Sequence, residues 1–243
     1  MIDDAAPEVP VATRRALHAV AERLLAGPQY RTSGTIRLTV TPDGFATTRS
    51  PAPGISALSV RGNTVVREPD GLVVPLIGTI AQVATALGVT PGAPEGVYAP
   101  TSTLPADRAL ELSATAARLP LGALSAGDRA LRVLAAEAGA TTEPGVTAGL
   151  GTAAEPGAAA EPVLWPEHFD LGLSLGEVNF GISPGDDQHT RPYAYVGPWK
   201  ARQGAFWTEP FGASLPLDDP DDVATIIAFL REGRARAAAD PIA

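Results

Sequence analysis

The chain has 243 residues, 45% of them hydrophobic, and a formal net charge of −9. That length and composition supply a sizeable core and exclude a disordered chain, while the absence of cysteine excludes disulfides, thiolate nucleophiles and zinc ribbons. Any metal site must use oxygen ligands and the three histidines, His18, His168 and His189.

The excess charge is uneven. Residues 1–138 carry 12 basic and 12 acidic side chains, residues 139–161 three acidic, and residues 162–243 six basic and 12 acidic. Such a surface repels phosphate backbones and anionic lipid, so neither nucleic acid nor a membrane is expected as a partner. The start, MIDDAAPEVP, has no basic or apolar leader segment, and no apolar run approaches the ~20 residues of a membrane span. The expected location is cytoplasmic.

After prolines 7 and 10, Leu17, Val20, Ala21 and Leu24 recur at helical spacing, predicting an amphipathic helix of about four turns closed by Gly27 and Pro28. On its polar side, His18 stands four before Glu22, predicting a solvated pair. The alternation in TIRLTVT (35–41) predicts a half-exposed strand ending at the turn Pro42, Asp43, Gly44. Runs at 55–60, 64–67 and 72–76, joined by turn-forming Gly, Asn, Pro and Asp, extend it into an antiparallel meander.

Ile77, Ile80, Ala84 and Leu87 return to helical spacing and stop at Gly88. Thr103, Leu104 and Pro105 predict the start of a helix over 106–118 that Pro120 ends. A further helix opens on Ser125, Ala126, Gly127 and Asp128 and runs to Gly139. Residues 140–162 hold no aromatic side chain and no periodicity, and read as a flexible Ala/Gly/Glu/Pro linker. Ten of the 13 aromatic residues lie after residue 160, so the last part must pack differently from the first. At the C-terminus, Asp218, Asp219, Asp221 and Asp222 surround Pro220 ahead of Val223, Ile226, Ile227 and Leu230, which predicts a final helix with Pro220 at its first position.

In the stretch WPEHFDLGLSLGEVNFGISPGDDQH (165–189), two alternating runs flank Gly176 and Glu177. A type II′ hairpin follows, pairing 175 with 178, 173 with 180 and 171 with 182. Its other face sets Ser174 opposite Asn179, Gly172 opposite Gly181 and Asp170 opposite Ser183. The facing glycines leave a bare trough, either open to a flat ligand or covered by an aromatic such as Trp199 or Trp207. Gly172, Gly181, Trp199 and Trp207 are therefore the candidate ligand-binding residues.

At the hairpin's open end, His168, Asp170, Asp186, Asp187 and His189 are candidate ligands for a divalent metal such as manganese, iron or zinc. The competing reading makes Asp186 and Asp187 Asx-turn residues and leaves His189 in solvent. The match of Gly181, Ile182, Ser183, Pro184 and Gly185 to GxSxG is rejected. A nucleophile elbow needs the N–H that Pro184 lacks, and needs a helix to follow.

WPEHFDLGLSLGEVNFGISPGDD, PYAYVGPW (192–199) and GAFWTEPFGA (204–213), with the stretch ending in PDGF at 34–45, resemble an uncharacterised family of soluble bacterial proteins. The resemblance implies that both halves belong to one architecture and brings no activity with it.

The expected fold is α+β, with antiparallel sheets, helices packed on one side and a C-terminal hairpin region closed by a final helix. The expected parts are 1–139, the linker 140–162, and 163–243 packed on the first part. Two functions are carried: a non-catalytic protein binding a small apolar ligand or a protein partner on its aromatic C-terminal surface, and a metal-dependent enzyme, perhaps a hydrolase, at the His/Asp cluster. The first is preferred.

Overall fold

The computed structural model describes residues 8–48, 57–139 and 160–243. Residues 140–159 of the expected linker, and the start of the expected strand at 55–60, lie outside them. The fold is α+β. Ten antiparallel strands form one sheet in the order β10-β9-β8-β7-β6-β1-β2-β3-β4-β5. The N-terminal half is the meander of β1 (Leu38–Thr41), β2 (Gly44–Thr47), β3 (Ala57–Arg61), β4 (Thr64–Glu68) and β5 (Leu72–Pro75). The C-terminal half is β6 (Val163–Trp165), β7 (Asp170–Leu175), β8 (Val178–Ser183), β9 (Tyr193–Pro198) and β10 (Ala213–Pro216). The halves join where β1 meets β6, with Leu38 opposite Leu164. A single buried cluster runs beneath both, from Val65 and Val74 to Ala194 and Val196.

The first helix does not stop at Gly27 and Pro28. It runs as α1 (Val11–Ala19), a π-helical segment (Val20–Ala26) and α2 (Gly27–Ser33). The π segment accommodates the proline. Gly27 donates its N–H to the Glu22 carbonyl, five residues back. Pro28, having no N–H, leaves the Arg23 carbonyl free, and the N–H of Gly92 takes it at 3.0 Å. Gly27 permits this approach, because a Cβ there would meet the Gly92 carbonyl oxygen at 1.6 Å. Nor is the helix amphipathic in the expected way, since Thr13, Arg14 and Glu22 are buried along with its apolar residues.

After α3 (Ile80–Leu87), closed at its start by a Thr79 and Gln82 capping box, residues 106–113 of the helix expected over 106–118 are not helical, and the remainder is continuous with the next expected helix as α4 (Ala114–Gly139). Ser113 Oγ caps it by accepting the Ala116 N–H at 3.1 Å. Pro120 sits inside it, buried beside Leu121, Ala123 and Leu124, so apolar contact outweighs a backbone loss of roughly 3 kcal/mol. Asp128 caps nothing and instead pairs with Arg132 at 2.7 Å. The last helix, α5 (Val223–Ala239), begins three residues after Pro220; Asp222 is its cap, accepting the Thr225 N–H at 3.0 Å.

The helices cover one face of the sheet, α4 over β1, β2, β7 and β8, and α5 over β8 and β9. Two helical glycines set how closely they lie. A Cβ on Gly127 would come within 2.2 Å of Ile182, and one on Gly233 within 2.5 Å of Val196. The opposite face of β7–β9 is open, and the site lies there. Among the described residues no helix is long and apolar enough to cross a membrane.

Candidate functional site

The hairpin β7–β8 has the register its alternation dictates: Leu171 opposite Ile182, Gly172 opposite Gly181, Leu173 opposite Phe180, Ser174 opposite Asn179 and Leu175 opposite Val178. Its turn is of the I′ kind rather than II′, because Gly176 and Glu177 both have positive φ, 59° and 64°. The pairing stops at 171 with 182. Asp170 is instead opposite Trp165 of β6, across the turn of residues 166–169, where the Phe169 N–H returns to the Trp165 carbonyl at 2.8 Å.

The glycine trough is covered by an aromatic, and that aromatic is Tyr195. It stands opposite Gly181 on β9, and a Cβ at Gly181 would meet its ring at 2.2 Å. Trp165 flanks the other side, 3.4 Å from where a Gly172 Cβ would be. The two glycines thus form a seat for Tyr195 and do not themselves line an open space. Trp207 is elsewhere, donating its indole N–H to Asp240 at 3.0 Å and packing edge-on against Phe206. Trp199 alone of the four expected ligand-binding residues lines the groove that does exist.

That groove, about 670 Å³, runs over the open face and is lined by His168, Asp170, Asn179, Ser183, Asp186, Tyr193, Tyr195, Gly197, Pro198, Trp199 and Phe211. The sequence signal for its walls is the alternation Tyr193, Ala194, Tyr195, Val196, Gly197, in which Ala194 and Val196 join the core and Tyr193, Tyr195 and Gly197 line the groove side. At one end Trp199 and Phe211 remain 44% and 42% exposed. Trp199 is nevertheless fixed, since its indole N–H reaches Asn179 Oδ1 at 3.2 Å and the Ser174 hydroxyl donates to that same oxygen at 2.7 Å.

The two groove carboxylates differ in how their oxygens are used. Asp186 is fully engaged. Its Oδ1 accepts the N–H groups of Gln188 and His189, each at 2.7 Å, in an Asx turn, and its Oδ2 accepts the Tyr193 hydroxyl at 2.7 Å. Burial pushes this carboxyl up, but those hydrogen bonds outweigh it and hold the group below its ordinary value. Asp170 has one donor, the Tyr195 hydroxyl on Oδ2. Its Oδ1 is buried and has no hydrogen-bond partner among the described residues. Burial accordingly pushes the Asp170 carboxyl up, against the opposing pull of Tyr195. Burial also raises both tyrosines, Tyr195 strongly, so their hydroxyls stay protonated and act as donors to the carboxylates.

The five expected metal ligands do not gather into one set. Asp187 turns away to pair with the buried Arg14 at 3.1 Å. His189 lies half-buried against the Tyr193 ring, 4.7 Å between centroids, with its Nδ1 3.6 Å from Asp186 and its Nε2 3.5 Å from Glu209. Asp186 spends its oxygens on the loop, and His168 is exposed at the groove edge. Among the described residues, no group of three or more His, Asp or Glu side chains is placed to hold a metal ion. The loop is shaped by backbone demand and by the N-terminal segment, which also binds it through Val9 and Glu8 to Thr190. Ser183, rejected as a nucleophile, is buried and its Oγ accepts the Gly185 N–H at 3.2 Å.

A second carboxylate cluster, not foreseen from the sequence, sits under residues 98–104. Glu22 is fully buried in the π segment and accepts the Thr101 N–H at 2.8 Å, the Thr101 hydroxyl at 3.1 Å and the Ser102 N–H at 3.2 Å. Arg23 ties the same stretch by donating to the Ser102 and Leu104 carbonyls at 2.7 and 2.8 Å. His18 is no solvated partner of Glu22. It stacks on Phe169 at 5.9 Å, donates from Nε2 to the Pro166 carbonyl at 2.9 Å, and has its pKa lowered by burial despite Glu22 nearby. The cluster clamps the 98–104 stretch and the 166–169 turn to the helix.

No family model, no curated protein and no solved structure matches the chain.

Proposed function

We propose that this is a non-catalytic binding protein whose open C-terminal sheet face holds a small molecule in the 670 Å³ groove. The observation that carries this reading is the unpartnered Oδ1 of Asp170, an acceptor removed from water beside a pre-formed groove. Such an atom costs roughly 1–3 kcal/mol until a donor reaches it. The aromatic walls are held in advance, Tyr195 by its glycine seat and Trp199 by Asn179, so little ordering is required on binding. The lining is mixed rather than apolar, with Asp170, Asp186, Asn179 and His168 among the rings, and this favours a ligand with a polar end over the wholly apolar one expected from composition. Among the described residues no group of three or more His, Asp or Glu side chains supports the reading as a metal-dependent enzyme.

Protein-observed NMR with a small-molecule fragment library tests the proposal. Binders are expected to shift the amides of Asp170, Gly181, Tyr195 and Gly197 and the Trp199 indole. Binders that map only to other surfaces, or a library without any binder, would count against it.

A further inference from the structure

Resting on that reading of the groove, we infer that its ligand is a small organic cation: an ammonium or guanidinium group on an apolar body, the charge against Asp170 and the body between Tyr195, Trp199 and Phe211. The carboxylates of the lining are Asp170 and Asp186; the one basic side chain among the lining residues is the His168 imidazole, with neither Lys nor Arg. Nearby cations are already paired outside it, Arg191 with Asp218 at 2.7 Å and Lys200 with Glu177 at 3.9 Å. An anionic ligand would therefore meet two carboxylates, with only the His168 imidazole in the lining and the His189 imidazole 3.6 Å from Asp186 to set against them, which disfavours it.

The hydrogen-bonding polarity points the same way. The hydroxyl protons of Tyr193 and Tyr195 are committed to Asp186 and Asp170, so both tyrosines present oxygen lone pairs and ring faces. Asn179 Oδ1 already accepts two donors. The vacant position is an acceptor, Asp170 Oδ1, and it needs an N–H or O–H from the ligand. Four aromatic rings line the same groove. Tyr195 and Phe211 meet at 82° with centroids 6.4 Å apart, Tyr193 and Tyr195 at 53° and 6.4 Å, and Trp199 stands exposed at the rim. Aromatic rings and carboxylates lining one groove attract a weakly hydrated cation, through the ring quadrupoles together with the charge. A neutral polyol would gain from the rings and the acceptor but not from the second carboxylate.

Isothermal titration calorimetry of the full chain at neutral pH with benzylamine, benzyl alcohol and glucose tests this, with NMR to locate each. The expected result is benzylammonium binding in the groove at least tenfold more tightly than benzyl alcohol, with an affinity loss of at least tenfold in Asp170→Asn and no loss in Lys200→Ala. Should Asp170→Asn fail to fold, Trp199→Ala, at the exposed rim, is expected to weaken benzylammonium at least fivefold; an unchanged affinity there overturns the inference. Equal affinities for the amine and the alcohol, or groove binding by glucose or benzyl alcohol alone, overturn the cation while leaving the groove a binding site. Silence of the groove towards all three probes and the fragment library removes both.

Discussion

Glu22 and Asp170 are two acidic side chains drawn into the same protein, each beside tyrosine and histidine, and their surroundings differ in one respect. Both carboxylate oxygens of Glu22 are engaged, by three donors from Thr101 and Ser102, with the Arg23 guanidinium 3.7 Å away. Asp170 has one donor and a buried oxygen left over. A buried polar network that is complete rigidifies the fold, whereas one that is short of a partner is costly unless something outside the chain supplies it. The contrast separates a structural clamp from a receptive site, and it is open to direct perturbation.

The largest effect is expected at the clamp. Glu22→Ala leaves the N–H groups of Thr101 and Ser102 without their acceptor and the Arg23 guanidinium without its carboxylate partner, and is expected to lower stability by roughly 3–5 kcal/mol, read by urea unfolding. Asp170→Asn should do nothing comparable. A loss from Asp170→Asn as large as that from Glu22→Ala would abolish the distinction between the two regions.

Next in size is Gly181→Ala. Its added Cβ would stand 2.2 Å from the Tyr195 ring and 2.5 Å from the Leu171 carbonyl oxygen, and the backbone cannot swing aside as a flexible side chain would. Overpacking of this kind costs roughly 1–3 kcal/mol. Because Tyr195 is displaced, the variant should also lose its bond to Asp170 and its groove ligand together, a double loss that chemical denaturation and calorimetry detect separately.

The groove's own two carboxylates sharpen the comparison through pH. Burial raises Asp170 above its ordinary value of 3.8, so the folded chain holds that proton more firmly than the unfolded chain does. Its contribution is complete below 3.8 and is lost as pH rises through the raised folded value. Asp186, held lower by Tyr193 and the loop N–H groups despite its burial, behaves oppositely. Its contribution is present above 3.8 and is lost as pH falls through the lowered folded value. Thermal unfolding at a series of pH values should therefore show Asp170→Asn gaining on the wild type as pH rises and Asp186→Asn falling behind it. Parallel curves for the two variants would mean that the oxygens are not engaged as described.

How much of this was legible depended on whether the determinant was local. The β7–β8 register was, because alternating Leu171, Leu173, Phe180 and Ile182 can be buried together only one way, and the facing of Gly172 and Gly181 follows from it. The Asx turn at Asp186 was legible as one of two readings, from the residue type alone. Features set by tertiary contact were not. The passage of the first helix through Pro28 needs Gly92, 64 residues on, and the survival of Pro120 inside α4 needs the core beneath it. Asp187 was read with its neighbours, whereas its partner Arg14 lies 173 residues away. Tyr195 carries a local signal, since its alternation with Ala194 and Val196 marks a strand with outward aromatics, but its place over the glycines is set by the β8–β9 pairing, Gly181 opposite Tyr195.

The smallest effect belongs to the clamp's side-chain hydroxyls. Thr101 binds Glu22 through both N–H and hydroxyl, while Ser102 uses only its N–H, its Oγ being buried with no hydrogen-bond partner among the described residues. Thr101→Val removes a hydrogen bond at similar volume and should cost about 1 kcal/mol. Ser102→Ala removes a buried hydroxyl that bonds to nothing and should be neutral or slightly stabilising, within roughly 0.5 kcal/mol. A clear loss from Ser102→Ala would show that this hydroxyl has a partner, and the clamp would then extend one residue further along the stretch it holds.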